Sequence, residues 1–311
     1  MQVLSEKRVV VTGASGFVGR QLCRHLQEGG YRVDTWGRGE RSAESDIAVL
    51  SGAACVVHLA GRAHVLHEQS ADPLQAFREA NCANTLRVAR AALAAGVRRF
   101  VFVSSIGVNG QQTGEAAFDE QSTPAPHADY AVSKHEAELQ LRELVRDSAM
   151  QLVIIRPPLV YAGHAPGNFR RLLGLVAARL PLPFGAVHNT RSMIALDNLV
   201  DFIVRCIEHP AAVDQLFVIA DGVDLSVGQI ADLLAQGMGL RSRQLAIPPW
   251  LMHGVAKLLG RESLYVQLCG SLQVDAGKAR ELLQWQPPLS AQDALRQAGR
   301  DYLAGKGARR E

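Results

Sequence analysis

The chain has 311 residues, of which 48% are hydrophobic, so it is long enough for one large or two unequal domains with a substantial core. Its 33 basic and 30 acidic residues nearly balance, which excludes the strongly basic surface of a nucleic-acid-binding groove. Its five cysteines form no C-x-x-C pair, and no signal peptide or membrane-spanning apolar run is visible, so we expect a cytoplasmic protein without disulfides, a metal site or stable membrane insertion.

Short apolar runs alternate with helical patterns through the first half of the chain. Helical patterns cover residues 18–28 and 80–95, and the apolar runs fall at 8–12, 31–36, 55–59, 100–104 and 152–155. Several runs are continuous and rich in valine, as in strands buried on both faces of a parallel sheet. This alternation predicts an α/β fold, with a Rossmann-type doubly wound parallel sheet over residues 1–160.

The pattern changes after residue 160, where prolines and glycines interrupt the chain and the elements become shorter. We expect a smaller C-terminal α/β lobe over residues 161–311 that binds the substrate. Residues 197–208 predict a helix that returns to the first domain, and residues 216–220 predict one more strand. The two domains are therefore expected to be partly interleaved.

A glycine-rich turn joins the first strand to the first helix. Gly13 would permit a tight turn, Gly16 would let the backbone approach a pyrophosphate, and Gly19 would let helix and strand pack closely. The amino terminus of a helix also favours a negatively charged group. Because of this strand-to-helix context, the glycine pattern predicts a dinucleotide cofactor.

The end of the second strand distinguishes NAD from NADP, because a carboxylate there would accept hydrogen bonds from the ribose 2′-hydroxyl of NAD. Gly37 occupies that place and Arg38 follows it, which favours NADP(H) by offering a cation to the 2′-phosphate. Asp34 keeps NAD(H) open, although it falls at a mid-strand position. Asp46 is either a contact to the adenine amino group or an ordinary exposed aspartate.

Tyr130 and Lys134 form a candidate acid/base pair. They are four residues apart, so a helix would place them on one face, one turn from each other. A nearby ammonium favours the phenolate, and we therefore expect the pKa of Tyr130 to lie below the usual value of about 10. The pair predicts a nicotinamide-dependent enzyme.

Seven motifs in sequence order give the chain its resemblance to extended short-chain dehydrogenase/reductases of the NAD-dependent epimerase/dehydratase family, in the nucleotide-sugar 4-epimerase and 4-ketoreductase branch. The resemblance covers nearly the full length. The motifs are Thr12-Gly-Ala-Ser-Gly-Phe-Val-Gly19, His58-Leu-Ala-Gly61, Asn81 with Asn84-Thr85, Phe102-Val-Ser-Ser-Ile106, Tyr130-Ala-Val-Ser-Lys134, Arg156-Pro-Pro-Leu-Val-Tyr161 and Arg191-Ser-Met-Ile194.

The resemblance implies a role for each residue of a catalytic triad. Ser105 would hydrogen-bond the reacting sugar oxygen, Tyr130 would transfer its proton, and Lys134 would hold the nicotinamide ribose. Ser104 competes with Ser105 for the first role. The residues implied around the cofactor are Gly13, Ser15, Gly16, Phe17, Val18, Arg38, Asp46, Ile47, Leu59, Ala60, Gly61, Asn81, Ser104, Tyr130, Lys134 and Pro157.

The resemblance also implies contacts to a nucleotide-sugar substrate. Arg191 would pair with the diphosphate, for which a guanidinium is well shaped. The other implied contacts are Ser105, Ile106, Asn168 and Arg280. Asn168 is equally explained as a helix start, and Arg280 as the exposed face of a late helix. The family further implies a homodimer through helices at 84–95 and 130–146.

Three functions stay open. Ile106 and Gly107 stand where related 4,6-dehydratases carry an acidic pair, which disfavours dehydration. The missing carboxylate at the second strand favours an NADPH-dependent reductase. The motifs Gly270-Ser-Leu-Gln-Val-Asp275 and Leu283-Gln-Trp-Gln-Pro-Pro288 resemble bacterial surface-polysaccharide enzymes that reduce UDP-4-keto-6-deoxy-N-acetylhexosamines, which implies that substrate class. The alternatives are an NAD-dependent UDP-sugar 4-epimerase, which would use the same triad, and a non-catalytic NADP-binding redox sensor.

Overall fold

A six-stranded parallel sheet forms the centre of the molecule, in a computed structural model that describes residues 7–37, 39, 42–62 and 72–307. The order of its strands is β2-β1-β3-β4-β5-β8, and β6 pairs with β7 in a separate parallel ribbon. The strands of the described residues are β1 Arg8–Thr12, β2 Arg32–Trp36, β3 Cys55–His58, β4 Arg99–Val103, β5 Gln151–Arg156, β6 Leu159–Tyr161, β7 Met193–Ala195 and β8 Leu216–Val218.

Helices connect the strands and continue to the carboxyl end of the chain. Short 3-10 turns follow β4 and α7, and a π-helical turn joins α3 to α4. The α-helices of the described residues are α1 Phe17–Glu28, α2 Ala43–Leu50, α3 Pro73–Arg78, α4 Asn84–Ala94, α5 Asp129–Val145, α6 Gly167–Ala177, α7 Leu196–Glu208, α8 Val227–Gly237, α9 Pro249–Leu258, α10 Glu262–Cys269, α11 Gly277–Leu283 and α12 Ala291–Gly307.

The sheet is covered by helices on both faces. Alternate strand residues point to opposite sides, so Val9 and Val11 join a core with α1, α7 and α11, whereas Val10 joins a core with α2, α4 and α5. Both faces are therefore apolar, and each fully buried aliphatic side chain contributes about 1.5–3 kcal/mol. The predicted Rossmann-type doubly wound sheet is confirmed, and all six predicted strands lie in it.

Strands β1 and β3 are neighbours in the sheet. The chain goes from β1 to β2 at one edge, and from β3 through β4 and β5 to β8 at the other edge, so the strand order reverses between β1 and β3. In open parallel sheets the crevice outside the carboxyl ends of two such strands is where ligands bind. The crevice here is bordered by the turn after β1 and the loop after β3.

A third core lies beside the sheet and is built from the later elements. It contains Phe169 and Leu173 of α6, Leu234 of α8 and Leu295 of α12. Both β8 and α7 pack with the first domain although they follow residue 160 in the chain. The division of the chain at residue 160 stays a prediction. Within the described ranges, no helix has the length and hydropathy needed to cross a bilayer.

The contact between α8 and α12 depends on glycine. A Cβ on Gly299 would collide with the carbonyl oxygen of Leu234 and would lie 3.3 Å from the Cα of Gly237. We expect Gly299→Ala to lower the free energy of unfolding by about 1–3 kcal/mol, because the two helix backbones must separate to accept the methyl group. Urea unfolding followed by circular dichroism measures the effect.

Gly305→Ala is the matched control on the same helix, because a Cβ there meets no described atom within 4 Å. Alanine should stabilise that position by about 0.5–1 kcal/mol through its higher helix propensity. Equal unfolding midpoints for the two variants would contradict the close packing of α8 and α12.

Candidate functional site

The turn after β1 brings two stretches of backbone into contact. Gly13 has a φ of 68°, and a Cβ on it would lie 2.7 Å from the nitrogen of Ala60 and 2.8 Å from the carbonyl carbon of Leu59. Neither the dihedral angle nor the space suits another residue. Gly16 donates its N–H to the carbonyl of Gly13 at 2.9 Å, and Gly19 is buried against the same carbonyl. The three glycines therefore build the tight turn that the sequence predicts.

The amino terminus of α1 is suited to an anion. Its N-cap is Gly16, no side chain caps its first N–H groups, and its first turn carries no acidic residue. The unpaired N–H groups and the helix dipole favour a negative group at this end. The predicted cofactor residues Ser15, Phe17 and Val18 lie in this turn, with Ser15 exposed and the other two half-buried.

A buried chain of hydrogen bonds ties the crevice together. The N–H of Ala60 donates to Thr12 Oγ1 at 3.1 Å, and Thr12 Oγ1 lies 2.9 Å from Nδ1 of His58. Nε2 of His58 lies 2.9 Å from Thr85 Oγ1, which donates to the carbonyl of Asn81 at 2.7 Å. Because Thr85 uses its hydrogen toward Asn81, it must accept from His58. His58 is thus assigned as the neutral tautomer with its hydrogen on Nε2.

His58 keeps this neutral form because it is fully buried. Burial, and next the charge of Lys134, lower its pKa to about 3. The ring therefore orients its threonine neighbours. Within the described part of the chain no cluster of three histidine, cysteine, aspartate or glutamate side chains is arranged to hold a metal ion.

A π-helical turn, Glu79–Ala83, places Asn81 beneath the loop that follows β3. The Asn81 side chain accepts from the N–H of Arg62 at 2.7 Å, and it donates to the carbonyl of Arg62 and to Ser133 Oγ. A Cβ on Gly61 would lie 3.0 Å from Asn81 Oδ1 and 3.5 Å from Nζ of Lys134. The predicted residues Gly61, Asn81 and Lys134 therefore converge at one point.

Lys134 is a buried cation on α5. Its Nζ donates to the carbonyl of Val103 at 3.0 Å and lies 4.5 Å from the ring centre of Phe102. Burial lowers its pKa to about 8, against the opposing charge of Glu138. The ammonium is fixed at the carboxyl end of β4, where the crevice opens.

Tyr130 lies in the first turn of α5, half-buried, with its ring edge-on to Phe77. Burial raises its pKa to about 12. The predicted lowering of this pKa is therefore wrong in this structure, because burial dominates and the ammonium of Lys134 is directed to the carbonyl of Val103. The phenol keeps its proton at neutral pH.

The two serines after β4 have different surroundings. Ser104 is buried and donates to Glu138 Oε1 at 2.5 Å. Ser105 is half-buried and accepts the N–H of Gly107 at 3.1 Å, and its hydroxyl hydrogen has no acceptor among the described residues. Ser105 is thus the serine whose donor is available to a ligand.

Glu138 and Arg156 form a buried ion pair behind these serines. Arg156 donates to both carboxylate oxygens of Glu138, at 2.9 and 2.5 Å, and both side chains are almost fully buried. Arg142 approaches the same carboxylate at 3.7 Å. Arg156 also donates to Asn109 Oδ1 at 2.9 Å. No motif in the sequence predicts this network, although Glu138 follows Lys134 by one helical turn.

Ile106 and Pro157 join the ends of β4 and β5, because the N–H of Ile106 donates to the carbonyl of Pro157 at 2.9 Å. Both residues are buried.

Arg191 is a candidate anion-binding residue in the part of the chain that follows residue 160. Its backbone forms isolated β-bridges with Leu225 on one side and with Leu272 on the other. Its side-chain Nη1 donates to the carbonyl of Gly270 at 2.8 Å. Burial lowers the pKa of its guanidinium, and it forms no ion pair with any described residue. A cation that is largely buried and balanced only by a carbonyl favours an anionic ligand.

The segment 271–275 connects Arg191 to the loop after β4. Its backbone accepts from Thr113 and Phe118 on one side and from Ser192 on the other, at 2.8–3.0 Å. This segment belongs to the motif at 270–275, so the motif forms one wall between the two lobes.

Two predicted substrate residues lie apart from Arg191. The Asn168 side chain donates to Gln267 of α10 at 2.7 Å. Arg280 is exposed on α11 and lies 4.0 Å from Asp275. Nothing in these contacts brings either residue to the guanidinium of Arg191, and their roles in binding stay predictions.

Helix α2 carries a buried carboxylate. Asp46 lies on α2 beside Ile47, pairs with Arg87 at 3.3 Å, and has an Oδ1 atom without a hydrogen-bond partner. The alternative that Asp46 is an ordinary exposed aspartate is therefore wrong. An unpaired buried oxygen suits an amino group of a ligand.

Asp34 is occupied by a contact within the sheet. It accepts from Arg8 Nε at 2.6 Å, and Arg8 also donates to the carbonyls of Val49 and Ser51. Its backbone register is with Val10, in the middle of β1. Arg38 lies outside the described residues.

Comparisons with known proteins identify the family and the fold. The model of the NAD dependent epimerase/dehydratase family matches residues 9–220. The UDP-glucose 4-epimerase of Vibrio cholerae is 39% identical over 96% of this chain and 96% of that protein. A solved UDP-glucose 4-epimerase from Thermotoga maritima, with UDP-glucose, superposes with a TM-score of 0.76 at 20% identity, over 96% of this chain and 99% of the other.

A third comparison is with RMD from Pseudomonas aeruginosa, solved with NADPH, which has a TM-score of 0.74 at 20% identity and covers 96% of this chain and 99% of that one. At this level of identity the two structural likenesses concern the fold alone. Together with the family match they confirm the predicted fold class and the predicted resemblance.

Glu138→Gln should lower the free energy of unfolding by about 3–5 kcal/mol, because it leaves Arg156 buried without its counter-charge. Glu143→Gln on the same helix is the control, since its ion pair with Arg146 is exposed on both sides and contributes about 0–1 kcal/mol. Denaturant unfolding of the two variants measures the difference. Similar losses would show that the buried pair is not a major source of stability.

The pH dependence of stability should report the buried Lys134. Its pKa falls from 10.5 to about 8 on folding, so between these values the unfolded chain binds a proton that the folded chain lacks. Stability from this group therefore rises with pH across that window, by up to about 3 kcal/mol. We expect Lys134→Met to lose this rise. Urea unfolding at several pH values measures it, and parallel profiles for the two proteins would contradict the assignment.

Proposed function

Because this chain belongs to the NAD dependent epimerase/dehydratase family and is an NAD(P)-dependent nucleotide-sugar enzyme, we propose that it reduces the 4-keto group of a nucleotide-activated sugar with NADPH. The proposed substrate is a UDP-4-keto-6-deoxy-N-acetylhexosamine of bacterial surface-polysaccharide synthesis. The homodimer through α4 and α5 and the cytoplasmic location stay predictions.

The observation that carries the proposal is the end of β2. Trp36 and Gly37 stand there, and the nearest carboxylate along the strand, Asp34, is held by Arg8 at 2.6 Å. No carboxylate of the described strand is thus available to a ribose 2′-hydroxyl, and none repels a 2′-phosphate. Cells keep NADP mainly in its reduced form, so a preference for NADP(H) favours reduction.

The residues of the crevice suit the cofactor. The uncapped amino terminus of α1, with its turn at Gly13 and Gly16, offers N–H groups to a pyrophosphate, and Asp46 offers an unpaired oxygen to adenine. When bound, the nicotinamide supplies the hydride. Lys134 would then hold the ribose hydroxyls, and its charge would stabilise the phenolate that remains when Tyr130 has given up its proton.

Tyr130 is suited to donate a proton to a ketone. A tyrosine phenol is protonated at neutral pH, which is the form needed when a carbonyl oxygen becomes a hydroxyl. Ser105 has an unused O–H donor to orient that oxygen. Arg191 would pair with the diphosphate and fix the sugar between the two lobes. Dehydration has no support, because Ile106 and Gly107 carry no acid or base.

A UDP-sugar 4-epimerase is the second candidate, and the 39% identity to the enzyme from Vibrio cholerae favours it. An epimerase would use the same Ser105, Tyr130 and Lys134, but the cofactor would stay bound between two hydride transfers. The proposals differ in whether NADPH is consumed. A non-catalytic redox sensor would need none of the three side chains.

The test uses the purified full chain. We expect tighter binding of NADPH than of NADH, and net oxidation of NADPH with a UDP-4-keto-6-deoxy-N-acetylhexosamine. Tyr130→Phe should reduce kcat/KM by about 10²–10⁴ through loss of the proton donor, with NADPH binding retained. Tyr302→Phe, on α12, is the control and should keep full activity.

Other outcomes identify the alternatives. Tightly retained NAD, with interconversion of UDP-sugars and no net consumption of a reduced cofactor, would replace the reductase by the epimerase. A Tyr130→Phe protein that retained every measured activity would support the sensor.

A further inference from the structure

Helix α9 turns an apolar face outward. Trp250 is 74% exposed and Leu258 is 86% exposed, and three further aliphatic side chains beside them are also exposed: Leu251, Val255 and Leu259. Leu251, Val255, Leu258 and Leu259 recur at intervals of three and four positions, and Trp250 precedes Leu258 by eight, so the five side chains lie on one half of the helix surface. Isolated exposed apolar residues are common, but a continuous apolar face is typical of a binding surface.

The opposite side of α9 is already packed against the protein. Met252 contacts the core of the substrate lobe, and His253 hydrogen-bonds Glu262 at 2.8 Å and stacks on Tyr265 of α10. These contacts fix the orientation of the helix, so rotation of α9 about its axis cannot bury its outer apolar face.

The charged side chains of residues 245–261 are all positive. Between residues 245 and 261 the sequence contains no aspartate or glutamate, and its two cations, Lys257 and Arg261, are both exposed. Lys257 follows Trp250 by seven positions and so lies on the same side of the helix. The acid that follows, Glu262, is hydrogen-bonded to His253. The face therefore combines apolar side chains with uncompensated cations.

This charge distribution distinguishes between partners. A symmetric dimer built on this face would pair it with a second surface that carries the same two cations and no acidic residue between positions 245 and 261, because an isologous interface pairs a surface with itself. An anionic surface that also accepts apolar side chains is complementary in both respects. A bilayer with acidic headgroups has that combination of properties.

We propose that α9 rests on an anionic lipid bilayer and holds the protein reversibly at its surface. The helix has ten residues and is about 15 Å long, half the thickness of a hydrocarbon core, so it lies in the interface and does not span it. Trp250 lies at the level of the headgroups, Leu258 enters the acyl region, and Lys257 and Arg261 contact lipid phosphates.

The test is flotation of the purified full chain with vesicles of phosphatidylcholine alone or with about one third phosphatidylglycerol. We expect binding to the anionic vesicles, little binding to the neutral ones, and a steep loss at high salt. Lys257→Glu should weaken binding by at least about fivefold. Leu258→Glu should abolish it and leave activity in solution unchanged.

Leu282→Glu is the matched control, since Leu282 is an exposed leucine on another helix, α11, and its replacement should leave flotation unchanged. The proposal is overturned if the protein does not float, if it binds neutral and anionic vesicles equally, or if Leu282→Glu is as damaging as Leu258→Glu. Light scattering that shows a dimer broken by Leu258→Glu, with no flotation, would assign the face to a second copy instead.

Discussion

The backbone of Gly13 lies against the backbone of Leu59 and Ala60, and the geometry of the site depends on that contact. It joins the ends of β1 and β3 where the strand order reverses, which is where a crevice can open. The hydrogen bonds of His58 with Thr12 and Thr85 then connect this contact to α4. A side chain at Gly13 would separate the two strand ends and displace the crevice walls together.

Burial of the charged Lys134 side chain costs free energy in the candidate site. A buried ammonium is unfavourable, and the protein offsets it with the carbonyl of Val103, the ring of Phe102 and the carboxylate of Glu138 one turn further along α5. Glu138 in turn is satisfied by Arg156 and Ser104. The catalytic candidates thus lie on a charge network that stabilises the fold at the same time.

The sequence predicts the parts of the site that depend on local spacing. The six sheet strands, the glycine turn and the Tyr130 to Lys134 interval follow from periodicity and short motifs. It does not predict the ion pair of Glu138 with Arg156 or the contact of Asp34 with Arg8, because these join residues far apart in the chain. The π-helical turn under Asn81 is local, but no short motif distinguishes it from an ordinary α-helical turn. The pKa of Tyr130 moves in the opposite direction to the prediction, since burial is a property of the whole fold and cannot be seen in a four-residue spacing.

Two features of the crevice are the basis of the proposed direction of reaction. At one end of the crevice, Arg8 holds the carboxylate of Asp34, a contact set by the pairing of β1 and β2. At the other end, burial at the start of α5 keeps Tyr130 protonated. The first is the basis of the proposed preference for NADP(H), and the second stabilises the protonated phenol. Reduction of a ketone needs a proton donor at its oxygen, whereas oxidation of a sugar hydroxyl, the first half of an epimerisation, needs a base that accepts the proton.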